Sequence, residues 1–302
     1  MNIIETHNLT RRFGRTEALH GLDFSVPAGS LCALLGPNGA GKTTTLKLLM
    51  NLLSPTAGEA RVLGTDTRRL GEREFAQIGY VSENQQLPLW MSVGQYLDYC
   101  RPFYPTWDRD LETTLRKQFA LPADRKLAQL SRGMLMKAAL LSALAYRPKL
   151  LVLDEPFSGL DPLVRDEFVR GLLEVSTSGE WTVLVSSHDI EEVERLCDRV
   201  AVLDNGRLRL DEPAEKLLGR FRRVEVTGAP ESAAPVAGEL EWARAGTLTR
   251  FIVSAYAGEA TERAWRERFP GATVVAQPMA LREIFITLAR SGRTETLKGA
   301  AA

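Results

Sequence analysis

The first 220 residues alternate short apolar runs with turn residues and with longer stretches of helical period, and this alternation predicts most of the elements. Ile3 to Thr6, Asp23 to Val26 and Leu31 to Leu35 are β-prone runs, the third leading straight into a glycine-rich loop. A helix is expected from Gly41 to Asn51, ended by Ser54-Pro55-Thr56-Ala57-Gly58, with further strands at Glu59 to Leu63 and Ile78 to Ser82. Between Val93 and Arg147 the period turns mostly helical, punctuated by Pro102, Pro105 and Pro122, which predicts an inserted helical subdomain over about residues 85–147. Leu150 to Leu153 is then an apolar run of strand length, Pro162 to Thr177 is helical, Trp181 to Ser186 is a strand and Ile190 to Cys197 is helical. Strands alternating with helices predict an α/β fold with a mostly parallel, helix-covered sheet.

The pattern changes near Arg220. Pro230 to Gly238 is rich in Ala, Pro, Gly and Ser; beyond it lie strand-like Leu248 to Ala255 and Thr273 to Ala276, with helices either side of Phe269. Residues 221–302 are therefore expected to form a small α+β appendage to a domain over 1–220. The 302 residues are 44% apolar and 25% charged with a formal net charge of zero, which excludes a disordered or collagen-like chain and gives no global pull toward nucleic acid. Cys32, Cys100 and Cys197 are odd in number and far apart, so neither a disulfide framework nor a zinc site is indicated. Met1 to Thr10 has neither the basic start nor the apolar run of a signal peptide. No stretch reaches the roughly 18 uninterrupted apolar residues of a membrane span. Met134 to Tyr146, interrupted by Lys137, reads as a buried helix. A cytoplasmic location is expected.

Gly36-Pro37-Asn38-Gly39-Ala40-Gly41-Lys42-Thr43 fits the phosphate-loop pattern and lies where that loop must lie, between a strand and a helix. Glycines let backbone N–H groups turn onto phosphate oxygens, and the helix N-terminus adds a positive dipole end. Lys42 is expected on the β- and γ-phosphates, the Thr43 hydroxyl on Mg²⁺, and Thr44 on a further phosphate oxygen. Leu150 to Leu153 runs into Asp154-Glu155, two carboxylates that should face opposite ways and so do different work. Asp154 is expected to hold Mg²⁺, and Glu155 to polarise the attacking water.

Together with Leu130-Ser131-Arg132-Gly133-Met134, Ser158-Gly159-Leu160-Asp161-Pro162 and Ser186-Ser187-His188-Asp189, these motifs make residues 2–220 resemble the nucleotide-binding domain of the ABC transporter family. The resemblance implies a P-loop NTPase core with N-terminal antiparallel strands, an ATPase activity, and a homodimer or heterodimer of such domains with two Mg-ATP sandwiched between them. It further implies an integral membrane permease on a separate chain, with this chain on the inner face of the membrane; given the net charge of zero, no nucleic-acid partner is expected. By the same resemblance Ser131 and Gly133 meet the partner's γ-phosphate, Asp161 lies at the dimer interface, His188 bonds the γ-phosphate, and Phe13 stacks on adenine. Ser131 also reads as a plain helix N-cap.

Three positions depart from the family pattern: Arg132 stands for a glycine and Met134 for a glutamine of the signature, and Glu83, after Gly79-Tyr80-Val81-Ser82, stands for a glutamine. A carboxylate binds water or Mg²⁺ but cannot donate as an amide does. These deviations, with Phe103-Tyr104-Pro105-Thr106-Trp107-Asp108, resemble ATPase subunits of ABC-2-type and related drug or antibiotic exporters. Met and aromatic residues between Trp90 and Trp107 suit a docking surface for the membrane partner and a subdomain core equally. Two other readings stay open: a soluble ABC ATPase acting on nucleic acid or ribosomes, and a regulatory module that binds ATP with weak turnover.

Overall fold

The computed structural model describes residues 1–176, 181–194, 196–288 and 290, and the chain divides into two compact units, Met1–Asp211 and Glu212–Ala302. The division precedes the compositional shift near Arg220, so the short helix Ala214–Arg220 belongs to the second unit.

In the first unit β1 (Asn2–Phe13) and β2 (Thr16–Pro27) form a long antiparallel hairpin. Both strands run well beyond the expected apolar runs, because polar residues occupy their solvent face and bulges near Asn8, whose φ is 49°, reset the alternation. β3 (Leu31–Leu35) is followed by α1 (Lys42–Leu49), then β4 (Ala57–Val62), β5 (Thr65–Asp66), the short α2 (Glu72–Phe75) and β6 (Ile78–Ser82). The helical stretch contains α3 (Val93–Cys100), α4 (Arg109–Gln118) and α5 (Arg132–Leu144). Each starts where a side chain can satisfy free N–H groups: Ser92 with Gln95 as a capping box, Asp108 accepting from Asp110 and Leu111, and Ser131 accepting from Met134. β7 (Leu150–Asp154), α6 (Pro162–Ser176), β8 (Thr182–Ser187), β9 (Arg199–Asp204) and β10 (Arg207–Pro213) complete the unit.

β2-β1-β4-β5 make one sheet, and β10-β9-β3-β8-β7-β6 another, in which β9, β3, β8, β7 and β6 pair in parallel. Leu34, Leu46, Leu49, Leu150, Val152 and Leu184 lie in the core between these layers. β7 and β8 are buried along their whole length, which explains their continuous apolar runs. The helix expected over Ile190 to Cys197 is, among the described residues, only a 3-10 turn at Ile190–Glu192, capped by Asp189. Its spacing of buried residues, Ile190, Val193 and Cys197, is helical, and turn-type bonds from Glu194 N–H to Ile190 O and from Cys197 N–H to Val193 O follow the 3-10 turn.

The second unit holds α7 (Ala214–Arg220), β11 (Arg222–Thr227), β12 (Glu239–Ala245), β13 (Leu248–Val253), α8 (Glu259–Arg268) and β14 (Thr273–Pro278), with residues 281–288 helical. The sheet is ordered β12-β13-β11-β14 and closes its own core on Val224, Val226, Phe251, Trp265 and Phe269. β11 and β12, which were not expected as strands, flank the Pro230 to Gly238 stretch. Among the described residues no helix is long and apolar enough to cross a membrane.

Candidate functional site

The parallel ladder brings the candidate residues to one edge of the sheet. Leu35 pairs with Ser187, Asp154 with Ser186 and Ser82 with Asp154, so the C-terminal ends of β3, β8, β7 and β6 lie side by side. The loop after β3 turns tightly there: Gly36 N–H donates to Ser187 O at 3.3 Å and Ala40 N–H to Pro37 O at 3.1 Å. Gly41 opens α1 with a φ of 106°, and a Cβ there would stand 2.9 Å from Ala18 O. No side chain caps α1, unlike α3, α4 and α5. Pro37, Asn38 and Gly39 face solvent, and Gly36 and Ala40 are buried.

Lys42 is buried under this loop. Its Nζ donates to Gly36 O at 2.7 Å and Pro37 O at 3.2 Å and lies 3.0 Å from Glu155 Oε1, an ion contact not aligned as a hydrogen bond. Glu155 Oε2 in turn lies 2.8 Å from His188 Nδ1, so the carboxylate sits between a buried ammonium and a half-exposed imidazole. Glu155 has a φ of 49°, an unfavourable conformation for a residue with a Cβ, held because its N–H donates to Ser186 Oγ at 3.0 Å.

Asp154 points the other way, as strand alternation requires. Its Oδ1 accepts from Thr43 Oγ1 at 3.0 Å and from Ser186 Oγ at 2.8 Å. Burial pushes its carboxyl above the ordinary range, the two hydroxyls draw it partly back, and the charges of Glu155 and Glu83 raise it further.

Comparison with known proteins agrees with this geometry. A family model described as ABC transporter matches residues 19–158, and one described as AAA domain, putative AbiEii toxin, Type IV TA system, matches residues 123–194. CysA of Escherichia coli (strain K12), a sulfate/thiosulfate import ATP-binding protein, is 36% identical over 214 residues, covering 68% of this chain and 58% of CysA. A solved ATP-binding subunit of an ABC transporter is 28% identical with a TM-score of 0.65, over 71% of this chain and 91% of that one. A bacterial Atm1-family ABC exporter with ATP bound is 27% identical with a TM-score of 0.63, over 72% of this chain and 39% of that one. The first unit is an ABC transporter ATP-binding domain.

The rest of the ATP-binding domain's candidates fall in three places. Thr44 follows Thr43 in the first turn of α1. Phe13 ends β1 at an exposed hairpin tip with the Arg11 guanidinium 4.5 Å from its ring centre, and on the partner strand β2 the backbone of Ala18 lies against Gly41. Ser131, Gly133 and Asp161 gather elsewhere, at the starts of α5 and α6. Ser131 accepts from Met134 N–H at 3.3 Å, Asp161 accepts from Leu163 and Val164 N–H at 3.1 and 3.0 Å, and Gly133 packs on Val164. Among the described residues, none of the three shares a hydrogen bond or ion pair with Lys42 or Glu155. Glu83, at the end of β6, lies between the two groups.

Two residues of the site had no role in the sequence reading. Ser186 holds both Asp154 and the backbone of Glu155, and Ser158 donates to Glu83 Oε1 at 2.9 Å. Ser186 stands near the end of β8 and Ser158 just past the Asp154-Glu155 pair, and that placement is the signal the sequence carries for both.

Proposed function

We propose that this chain is the ATP-hydrolysing subunit of an ABC transporter, closing as a dimer around two Mg-ATP to drive an integral membrane subunit, and that the transporter is an exporter. The observation that carries the reading is the convergence of Lys42, Thr43, Asp154, Glu155 and His188 at one sheet edge beside a glycine-rich loop. Thr43 and Asp154 offer hard oxygens 3.0 Å apart, and a buried carboxylate whose nearest polar partners are hydroxyls suits a small divalent cation. Mg²⁺ held by these two residues would supply charge neutralisation for the phosphates.

Lys42 exchanges its carbonyl partners and Glu155 for phosphate oxygens, which frees the carboxylate to position water and accept its proton. His188, already bonded to Glu155, orients it and reaches the γ-phosphate through the other ring nitrogen. Phe13 offers one ring face to adenine. The separation of Ser131, Gly133 and Asp161 from Lys42 within one chain supports a second copy supplying them across an interface. The aromatic residues divide by exposure. Tyr96 and Met91 are buried and Tyr104 stacks on Tyr146, while Trp90, Tyr99 and Phe103 are exposed; Tyr99 and Phe103 meet edge to face, and Cys100 and Tyr104, next to them in the chain, line a cleft of about 350 Å³. That exposed surface is the docking site for the membrane subunit.

The export direction rests on Glu83, Arg132, Met134 and the Phe103 to Asp108 segment. The relatives include both an import protein and an exporter, so direction needs its own assay. Glu155→Gln should abolish steady-state turnover, retain ATP binding and trap the dimer. Purified from membranes with Mg-ATP, that variant should bring down a polytopic membrane protein in near-equal amount. Recovery with ribosomes or nucleic acid, or alone, would overturn the reading. With the recovered complex in vesicles, cargo leaving the ATP side supports export, and cargo arriving there overturns it.

A further inference from the structure

Glu83 and Arg132, two charged residues standing where the resemblance implies uncharged ones, meet in the folded chain. One carboxylate oxygen, Glu83 Oε1, accepts from Ser158 Oγ at 2.9 Å and lies 3.9 Å from an Arg132 guanidinium nitrogen. The guanidinium also packs over Gly159, where a Cβ would stand 2.8 Å from Nη1. The loop after β6, the start of α5 and the loop after β7 thus close on a single oxygen, though they are distant in sequence.

The charge of Glu83 matters at the neighbouring site. β6 ends at Ser82 beside Asp154 in the ladder, and Glu83 is one of the charges that raise the Asp154 carboxyl. Glu83, Asp154 and Glu155 put three carboxylates around a place that must accept an anionic triphosphate. Lys42 answers Glu155 from inside, and Arg132 answers Glu83 from outside. A neutral residue at 83 needs no cation at 132, whereas a carboxylate there without one repels the nucleotide.

We propose that Arg132 is a positioning residue for the ATP site that acts through Glu83, neutralising its charge and holding it, with Ser158, beside the phosphates. The inference deepens the ATP-binding reading and rests on it. The two departures from the family pattern then form one unit that ties the nucleotide site to the start of α5.

The test is a double-substitution cycle on the full chain, read as the Kd for a fluorescent methylanthraniloyl-ATP with Mg²⁺. Arg132→Gly should weaken binding about fivefold, the order of magnitude expected when one partly screened unit charge is lost near a phosphate site. In a Glu83→Gln background the same substitution should change Kd by less than about twofold. Arg132→Lys should keep most of the affinity, and high salt should shrink the Arg132→Gly effect. An equal loss in both backgrounds, or none in either, overturns the proposal, with circular dichroism melts separating misfolding from either. If the unaltered chain binds no Mg-ATP, the ATP reading falls and this inference with it; ordinary binding with additive substitutions sinks this inference alone.

Discussion

Asp154 and Glu155 are neighbours in sequence and opposites in environment. Glu155 faces an ammonium and an imidazole, whereas Asp154 is buried with hydroxyls for partners and its carboxyl is raised by that burial. Such a group costs stability until a cation arrives. Below the ordinary aspartate value of 3.8 the side chain is protonated folded and unfolded, and contributes nothing. As pH rises through the higher folded value, the folded chain must ionise a buried group that the unfolded chain ionised earlier, so stability falls. Asp154→Asn removes this loss while keeping an acceptor for Thr43 and Ser186. The variant should melt above the parent in metal-free buffer at neutral pH, and the gap should close as pH is lowered toward 4. With Mg-ATP present the order should reverse, because only the parent gains ligand stabilisation. Thermal melts across pH check this, and a gap that does not change with pH would sink the argument.

At the scale of elements, α5 and α6 meet at Gly133. Its backbone is not in the left-handed region, and it is small for a packing reason: a Cβ would stand 2.8 Å from Val164 Cγ1. Gly133→Ala should destabilise the chain by about 1–3 kcal/mol through overpacking, and Val164→Ala in the same chain should recover most of that loss. If ATP turnover lost in Gly133→Ala returns with Val164→Ala, the glycine serves helix packing; if stability returns without turnover, its backbone is needed at the nucleotide. Elements of this kind were legible in unequal measure. β3 and β6 fall where their apolar runs lie, since both faces of the parallel sheet are covered. β11, reading Arg-Arg-Val-Glu-Val-Thr, and β12, reading Glu-Leu-Glu-Trp, were missed because one face carries charges and the segments adjoin a Pro/Gly-rich stretch. The phosphate loop and the carboxylate pair were legible because each is continuous in sequence. The Glu83, Ser158 and Arg132 cluster was not, since it exists only once three separate segments are folded together.

On the scale of the whole molecule, the six-stranded sheet and the groups around Lys42 and Asp154 lie at or before Pro213, while the second unit closes a separate core on Phe251, Trp265 and Phe269. β10 is the edge strand of its sheet, so ending the chain at Pro213 leaves every ladder of the first unit complete. A chain cut there should fold and bind Mg-ATP within about twofold of the full chain, and at 100 times Kd the nucleotide should stabilise it by about 2.7 kcal/mol, as it does the parent. Loss of binding in a folded truncated chain would mean that the second unit feeds the nucleotide site. If binding is kept but the membrane protein no longer co-purifies with the truncated Glu155→Gln variant, the second unit supplies contacts to the transporter. If both are kept, the exposed Trp90, Tyr99 and Phe103 surface of the first unit suffices for docking, and Phe103→Ala should then be enough to reduce recovery of the membrane subunit.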